Sequence, residues 1–95
     1  MEKYELIMIV DATIPQGEKD TIVKESNDLI AKNSGKIINS QVWIEKQRFS
    51  FRMKKRTEGT YYLINFESPQ SAVAQIRESL RLNEKVIRSL ITKVE

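Results

Sequence analysis

Ninety-five residues are room for one domain and not for two, so a single domain over 1–95 is expected. The chain has no Cys and no His, which excludes disulfides, thiolate chemistry, zinc–thiolate sites and the most common general base. Its net charge of +3 conceals a division, because residues 1–35 hold four Lys and seven acids while residues 36–95 hold twelve basic residues and six acids.

Tyr4 to Val10 is a compact apolar run with bulky residues on both alternations, as in a central strand covered on both faces. It is far too short to cross a bilayer, and the acidic, polar opening Met1-Glu2-Lys3-Tyr4-Glu5 is unlike a secretory or transit signal. Thr13 followed by Gln16 reads as a capping box. The helix after it carries Ile22, Leu29 and Ile30 on one face and Lys19, Glu25, Asp28 and Lys32 elsewhere, with Gly35 as its left-handed stop. Lys36 to Trp43 returns to strand chemistry. From Arg48 the alternation is regular, with Phe49, Phe51 and Met53 against Arg48, Ser50, Arg52 and Lys54. Glu45-Lys46-Gln47 contains neither Gly nor Pro, so one long strand with a bulge there is predicted rather than a hairpin. Lys55 to Gly59 is the predicted turn, and Thr60 to Glu67 the next strand. Ser68-Pro69 predicts a cap and a first-turn proline for a helix bearing Val73, Ile76 and Leu80, joined by Ala72. Asn83 suits that helix's end, and Val86 to Val94 is the last strand.

The order β-α-β-β-α-β defines an α+β class: a ferredoxin-like βαββαβ sandwich, a four-stranded antiparallel sheet with two helices on one face. The other sheet face is then open to a partner. Fold alone does not assign an activity. An RNA-recognition module requires alternating aromatics after a Gly, but Gly59 is followed by Thr60 and Tyr61 in the wrong places. An acylphosphatase-like enzyme requires a Gly-rich phosphate loop and an Arg after the first strand, and Asp11 to Pro15 offers neither. A small-ligand regulatory module remains an alternative through Gly17, whose plain reading is a surface turn. No Asp/Glu spacing builds a cation cage, and no cofactor is expected.

The basic residues Lys46, Arg48, Arg52, Lys54, Lys55 and Arg56 crowd one short stretch. They make either a phosphate footprint or a solvated strand and turn. Like charges projecting together are unfavourable unless an anion neutralises them, and Arg forks onto phosphate oxygens. Arg81, Lys85 and Arg88 near the final strand would support such a site. Trp43, the only Trp, is expected in the core ahead of a contact role; with Tyr61 and Leu63 it forms the candidate protein-partner set on the open face.

Three segments carry a resemblance: Lys3-Tyr4-Glu5-Leu6-Ile7-Met8-Ile9-Val10, Trp43 to Lys55, and Leu80-Arg81-Leu82-Asn83-Glu84-Lys85-Val86-Ile87-Arg88-Ser89-Leu90-Ile91. In this order and spacing, over essentially the whole chain, the sequence resembles the bacterial small-subunit ribosomal protein S-six family. The central segment departs from the family pattern, with Ile44 after Trp43 in place of Gly, Arg52 in place of Pro, Met53 in place of Ile, and one extra residue between Trp43 and Phe49. The sequence ends at Glu95, without the charged tail of some members. The resemblance implies a non-catalytic constituent of the small ribosomal subunit in the cytoplasm. It would bind small-subunit ribosomal RNA together with the neighbouring basic protein S-eighteen, with no membrane and no small-molecule substrate.

Overall fold

Four strands and two helices follow one another as the hydrophobic periods dictate: β1 (Glu2–Asp11), α1 (Gln16–Lys32), β2 (Lys36–Met53), β3 (Arg56–Ser68), α2 (Gln70–Arg81) and β4 (Val86–Val94). The computed structural model describes residues 1–53 and 56–94, and the side chains of 1–43 and 58–94. All three strand pairings are antiparallel, in the order β2-β3-β1-β4. This is the expected ferredoxin-like βαββαβ arrangement.

Strand periodicity places the core. On β1 the even residues Tyr4, Leu6, Met8 and Val10 are buried, and they pair with Phe66, Ile64, Tyr62 and Thr60 of β3. Ile22 and Ile30 of α1 and Val73, Ile76 and Leu80 of α2 join them in one cluster, so both helices cover the same sheet face. Tyr4 stacks on Phe66 with ring centroids 5.6 Å apart.

The helix termini differ from the expected chemistry. Thr13 does not cap α1; its N–H and its hydroxyl both donate to Asp11 Oδ1, at 2.9 and 2.8 Å, and the capping residue is Pro15. A local side-chain turn thus outcompetes the capping box. Lys19 is 7% exposed despite its place among the polar residues, as the aliphatic stem of a lysine can pack along apolar surface. Ser26 is buried too, its hydroxyl donating to the Ile22 carbonyl at 2.8 Å.

The left-handed residue after α1 is Ser34, at φ 67°, and not Gly35. Gly35 N–H donates to the Ile30 carbonyl at 2.8 Å, and Ser34 N–H to Ala31 at 3.2 Å, which together make a Schellman closure. Ser68 is not the cap of α2 either. It is buried, its hydroxyl donates to the Pro69 carbonyl at 3.2 Å, and Pro69 itself caps the helix in an extended conformation. Asn83 has no left-handed conformation; its Oδ1 accepts from Lys85 N–H at 3.0 Å.

The long bent second strand is present, and its register shifts between Ile44 and Gln47, where the bulge was expected. Further shifts fall between Ile37 and Asn39 and between Val42 and Ile44. The predicted turn over Lys55 to Gly59 is corrected: Arg56 already pairs with Met53, and Arg56 to Gly59 belong to β3. Repeated bulges let β2 keep pairing where a strict period would have ended it.

At the chain's start, Glu2 binds Lys93 Nζ through Oε1 at 3.0 Å and accepts the Tyr4 hydroxyl on Oε2 at 3.0 Å. The lysine hydrogen bond, then the tyrosine one, hold the Glu2 carboxyl below its ordinary value. Burial, then the Glu2 hydrogen bond, push the Tyr4 phenol above its own. The Glu2 contribution to stability is therefore present above the ordinary glutamate pKa and fades as pH falls through the lowered folded value. The Tyr4 contribution is present below the ordinary phenol value and is lost as pH rises beyond it. Glu2→Gln is expected to flatten the acid limb of the melting-temperature profile and leave the neutral plateau nearly level. An acid limb of unchanged steepness would show that other carboxylates set it.

Candidate nucleic-acid and protein interface

The face of the sheet away from the helices is read in cross-strand rows. One row runs Lys36–Glu67–Lys3–Val94, and the next Asn39–Asn65–Glu5–Thr92. The third runs Gln41–Leu63–Ile7–Leu90, and the fourth contains Tyr61–Ile9–Arg88. The alternating charges of the first row offset one another. The third and fourth rows are apolar except for Gln41 and Arg88 on the outer strands, so one half of this face is wet and the other largely greasy.

Trp43 lies on the greasy half. Its ring meets Tyr61 edge to face with centroids 6.2 Å apart, and it is 52% exposed, which overturns the expectation of a core position. The shift of register beside it explains the placement, since strand alternation cannot be extrapolated through a bulge. The structure therefore brings the three candidate partner residues Trp43, Tyr61 and Leu63 onto one surface. Ile7 and Leu90 extend that surface, with Ile9 buried on the same side; the apolar residues on both alternations of β1 signalled the β1 pair in sequence. Leu90 is 55% exposed.

The basic stretch begins where this half of the face ends. Gln47 pairs with Gly59, and Gly59 with Asp11, the last residue of β1. Beyond that row only β2 and β3 continue, through Arg48–Glu58 to Met53–Arg56, as a two-stranded ribbon. Backbone pairing thus puts Arg48, Arg52 and Arg56 on the ribbon and Lys46 at its base. The side chains of these four lie outside the described ones, and Lys54 and Lys55 lie outside the described residues.

The supporting basic residues sit across the sheet at the same end. Arg81, in the last turn of α2, forms an exposed ion pair with Glu78 at 3.3 Å. Lys85, just before β4, pairs with Glu18 of α1 at 3.1 Å. Arg88 stands opposite Ile9 and is exposed. These three do not join the ribbon; β1 lies between it and β4.

Elsewhere, a groove of about 500 Å³ separates the helices, lined by residues including Glu18, Ile22, Glu25, Leu80 and Leu82. Gly17 is not a close-approach glycine: a Cβ there would meet nothing within 4 Å. Among the described residues no three Asp or Glu gather to hold a metal ion, and no helix is long and apolar enough to cross a membrane.

A family model described as Ribosomal protein S6 matches residues 3–93. The small ribosomal subunit protein bS6 of Campylobacter jejuni is 33% identical over the whole of this chain and is covered over 75% of its own length. That of Cutibacterium acnes is 26% identical, again over the whole chain, with 98% of its length covered. Among solved structures, the crystal structure of 30S ribosomal protein S6 from Thermotoga maritima superposes with a TM-score of 0.90 at 22% identity, over 98% of this chain and 87% of that one.

Proposed function

The chain belongs to the ribosomal protein S6 family, and on that premise we propose that it binds small-subunit ribosomal RNA together with S-eighteen, as one domain over residues 1–95. Membership makes it a structural protein of the small ribosomal subunit in the cytoplasm and not an enzyme. The RNA side is carried by Lys46, Arg48, Arg52, Lys54, Lys55 and Arg56, seconded by Arg81, Lys85 and Arg88. These cations neutralise and position phosphates and do not read bases. The protein side is Trp43, Tyr61 and Leu63.

One observation carries this reading: the apolar half of the open sheet face adjoins the ribbon in which the basic residues concentrate. A protein neighbour on the one and a phosphate chain on the other can then be held side by side. An apolar surface with an exposed Trp suits a protein partner, since aromatic anchors dominate such interfaces.

Two measurements test it. Lys54→Gln, Lys55→Gln and Arg56→Gln together are expected to flatten the slope of log K against log[salt] for ribosomal RNA by about 0.7–0.9 per lost phosphate contact. An unchanged slope removes the ribbon from the RNA interface. Trp43→Ala is expected to weaken partner binding about thirtyfold, the size of a central aromatic anchor, with little change in melting temperature. Undiminished partner affinity would move the protein interface off this face.

A further inference from the structure

The sheet ends in two edge strands, β2 and β4, and they are built differently. A free edge presents a row of unpaired N–H and C=O groups, a template for another strand unless the chain blunts it. β2 is blunted: its register against β3 shifts repeatedly, and bulges twist an edge away from a flat partner. β4 lacks that defence, since Arg88 to Val94 pair with Ile9 to Lys3 of β1 in unbroken register. The strand contains no Pro, and of its two cations Lys93 is held by Glu2 at 3.0 Å. Helix α2 does not close over the edge, because an open space of about 390 Å³ borders Val86, Ile87, Arg88 and Ser89 beside the helix end. Beyond the ladder with β1, the one backbone hydrogen bond of β4 among the described residues runs from Val86 N–H to the Asn83 carbonyl, at 3.1 Å.

The strand is also self-complementary. Leu90 stands at the middle of Val86–Val94, so antiparallel pairing over the full strand sets Leu90 opposite Leu90 of a second copy. Leu90 is 55% exposed on the open face, opposite Ile7, so this pairing covers a bare apolar side chain at the two-fold axis. In the same register Arg88 faces Thr92 and Lys93 faces Ile87, and no cation meets a cation. We propose that β4 docks on β4 of a second copy of this chain, joining two four-stranded sheets into one of eight strands. Main-chain hydrogen bonds supply the attraction, and Leu90 fixes the register. The matched leucines and the offset cations favour a second copy over an unrelated strand. The inference stands whether or not the ribbon binds RNA, because it draws on no residue of the ribbon.

The chain has no Cys, so single cysteines report the pairing without background. Leu90→Cys is expected to oxidise to a disulfide dimer, because directly opposed residues have Cα atoms about 4.5–5.5 Å apart, within disulfide reach. Thr92→Cys is the control at another exposed position of the same face. In this register the two 92 positions lie about 14 Å apart along the strands, and they should not cross-link. Arg88→Cys mixed with Thr92→Cys should cross-link as a mixed pair. Equal cross-linking of Leu90→Cys and Thr92→Cys would mean random collision and overturns the proposal.

Sedimentation equilibrium of the unmodified chain is the second measurement. Its mass is expected to rise with concentration from 11.1 kDa toward twice that value. Leu90→Lys sets two ammoniums face to face at the axis, and should hold the chain at the single-copy mass while leaving it folded. Should that variant fail to fold, the cysteine pairs decide alone. A wild type that stays at 11.1 kDa at every concentration sinks the proposal, and so does a Leu90→Lys chain that still dimerises. If the chain alone stays single and amide exchange in β4 slows only when a different protein is added, the edge takes a foreign strand and not a second copy.

Discussion

Phe66→Ala is expected to lower stability by about 3–5 kcal/mol, the range for emptying a fully buried aromatic site. Phe66 is completely buried on β3, stacked on Tyr4 and paired in register with Tyr4 on one side and Ile37 on the other. A domain of this length is worth about 5–14 kcal/mol in all, so the loss is a large fraction of the total. The melting temperature should fall by roughly 12–40 °C, given a shift of about 4–8 °C per kcal/mol at this size. Phe66→Leu, which retains most of the volume, should lose only about 1–2 kcal/mol. Urea denaturation followed by circular dichroism reads both. A loss below about 1 kcal/mol for the alanine variant would mean that the sheet and helices close over the gap, and that this layer is not the rigid centre of the fold.

Gly35→Ala is the second large effect, about 2–3 kcal/mol of destabilisation through overpacking. The added Cβ would stand 2.5 Å from Ile30 Cγ2, 2.7 Å from the Ile30 carbonyl oxygen and 3.3 Å from the Glu67 carbonyl oxygen. Two of these three neighbours are backbone, so relief requires moving the end of α1 or strand β3. Moving the helix end would also strain the 2.8 Å hydrogen bond from Gly35 to Ile30. Gly17→Ala is the matched control, because a Cβ there meets open space within a helix. It should be neutral or stabilise by up to about 1 kcal/mol through helix propensity. Equal effects of the two substitutions would show that close approach at Gly35 is not what matters.

The contrast between these glycines shows where sequence reading stops. Both were noticed, one as a left-handed helix stop and the other as a surface turn or ligand-approach point. The close approach of Ile30 at the end of α1, with the Glu67 carbonyl of β3 beside it, is what makes Gly35 hard to replace, while the left-handed conformation falls to Ser34. The capping residues failed for a similar reason. Thr13 and Ser68 are good caps in isolation, but Asp11 claims the first and burial beneath the α2 entry claims the second. Helix faces fared better: Val73, Ile76 and Leu80 are buried as their spacing requires.

The interface was legible in part. The basic stretch stands out in linear sequence because six cations crowd eleven positions. Its place, running on from the apolar half of the open face, emerges from the pairing of Gly59 with both Asp11 and Gln47. Trp43 was misplaced because its exposure depends on a shift of register that leaves no mark in residue type.

By itself, the amino-acid sequence determined the element order, the helix faces, the long second strand with its bulge, and the division between an acidic first third and a basic remainder. These are local or additive properties: periodicity records which side of an element avoids water, and charge is summed residue by residue. Tertiary structure alone decided which exposed residues are neighbours. It set Trp43 on Tyr61 and Glu2 on Lys93. Such neighbours depend on register, bulges and strand order, and one residue of slip turns a strand's side chains to the other face.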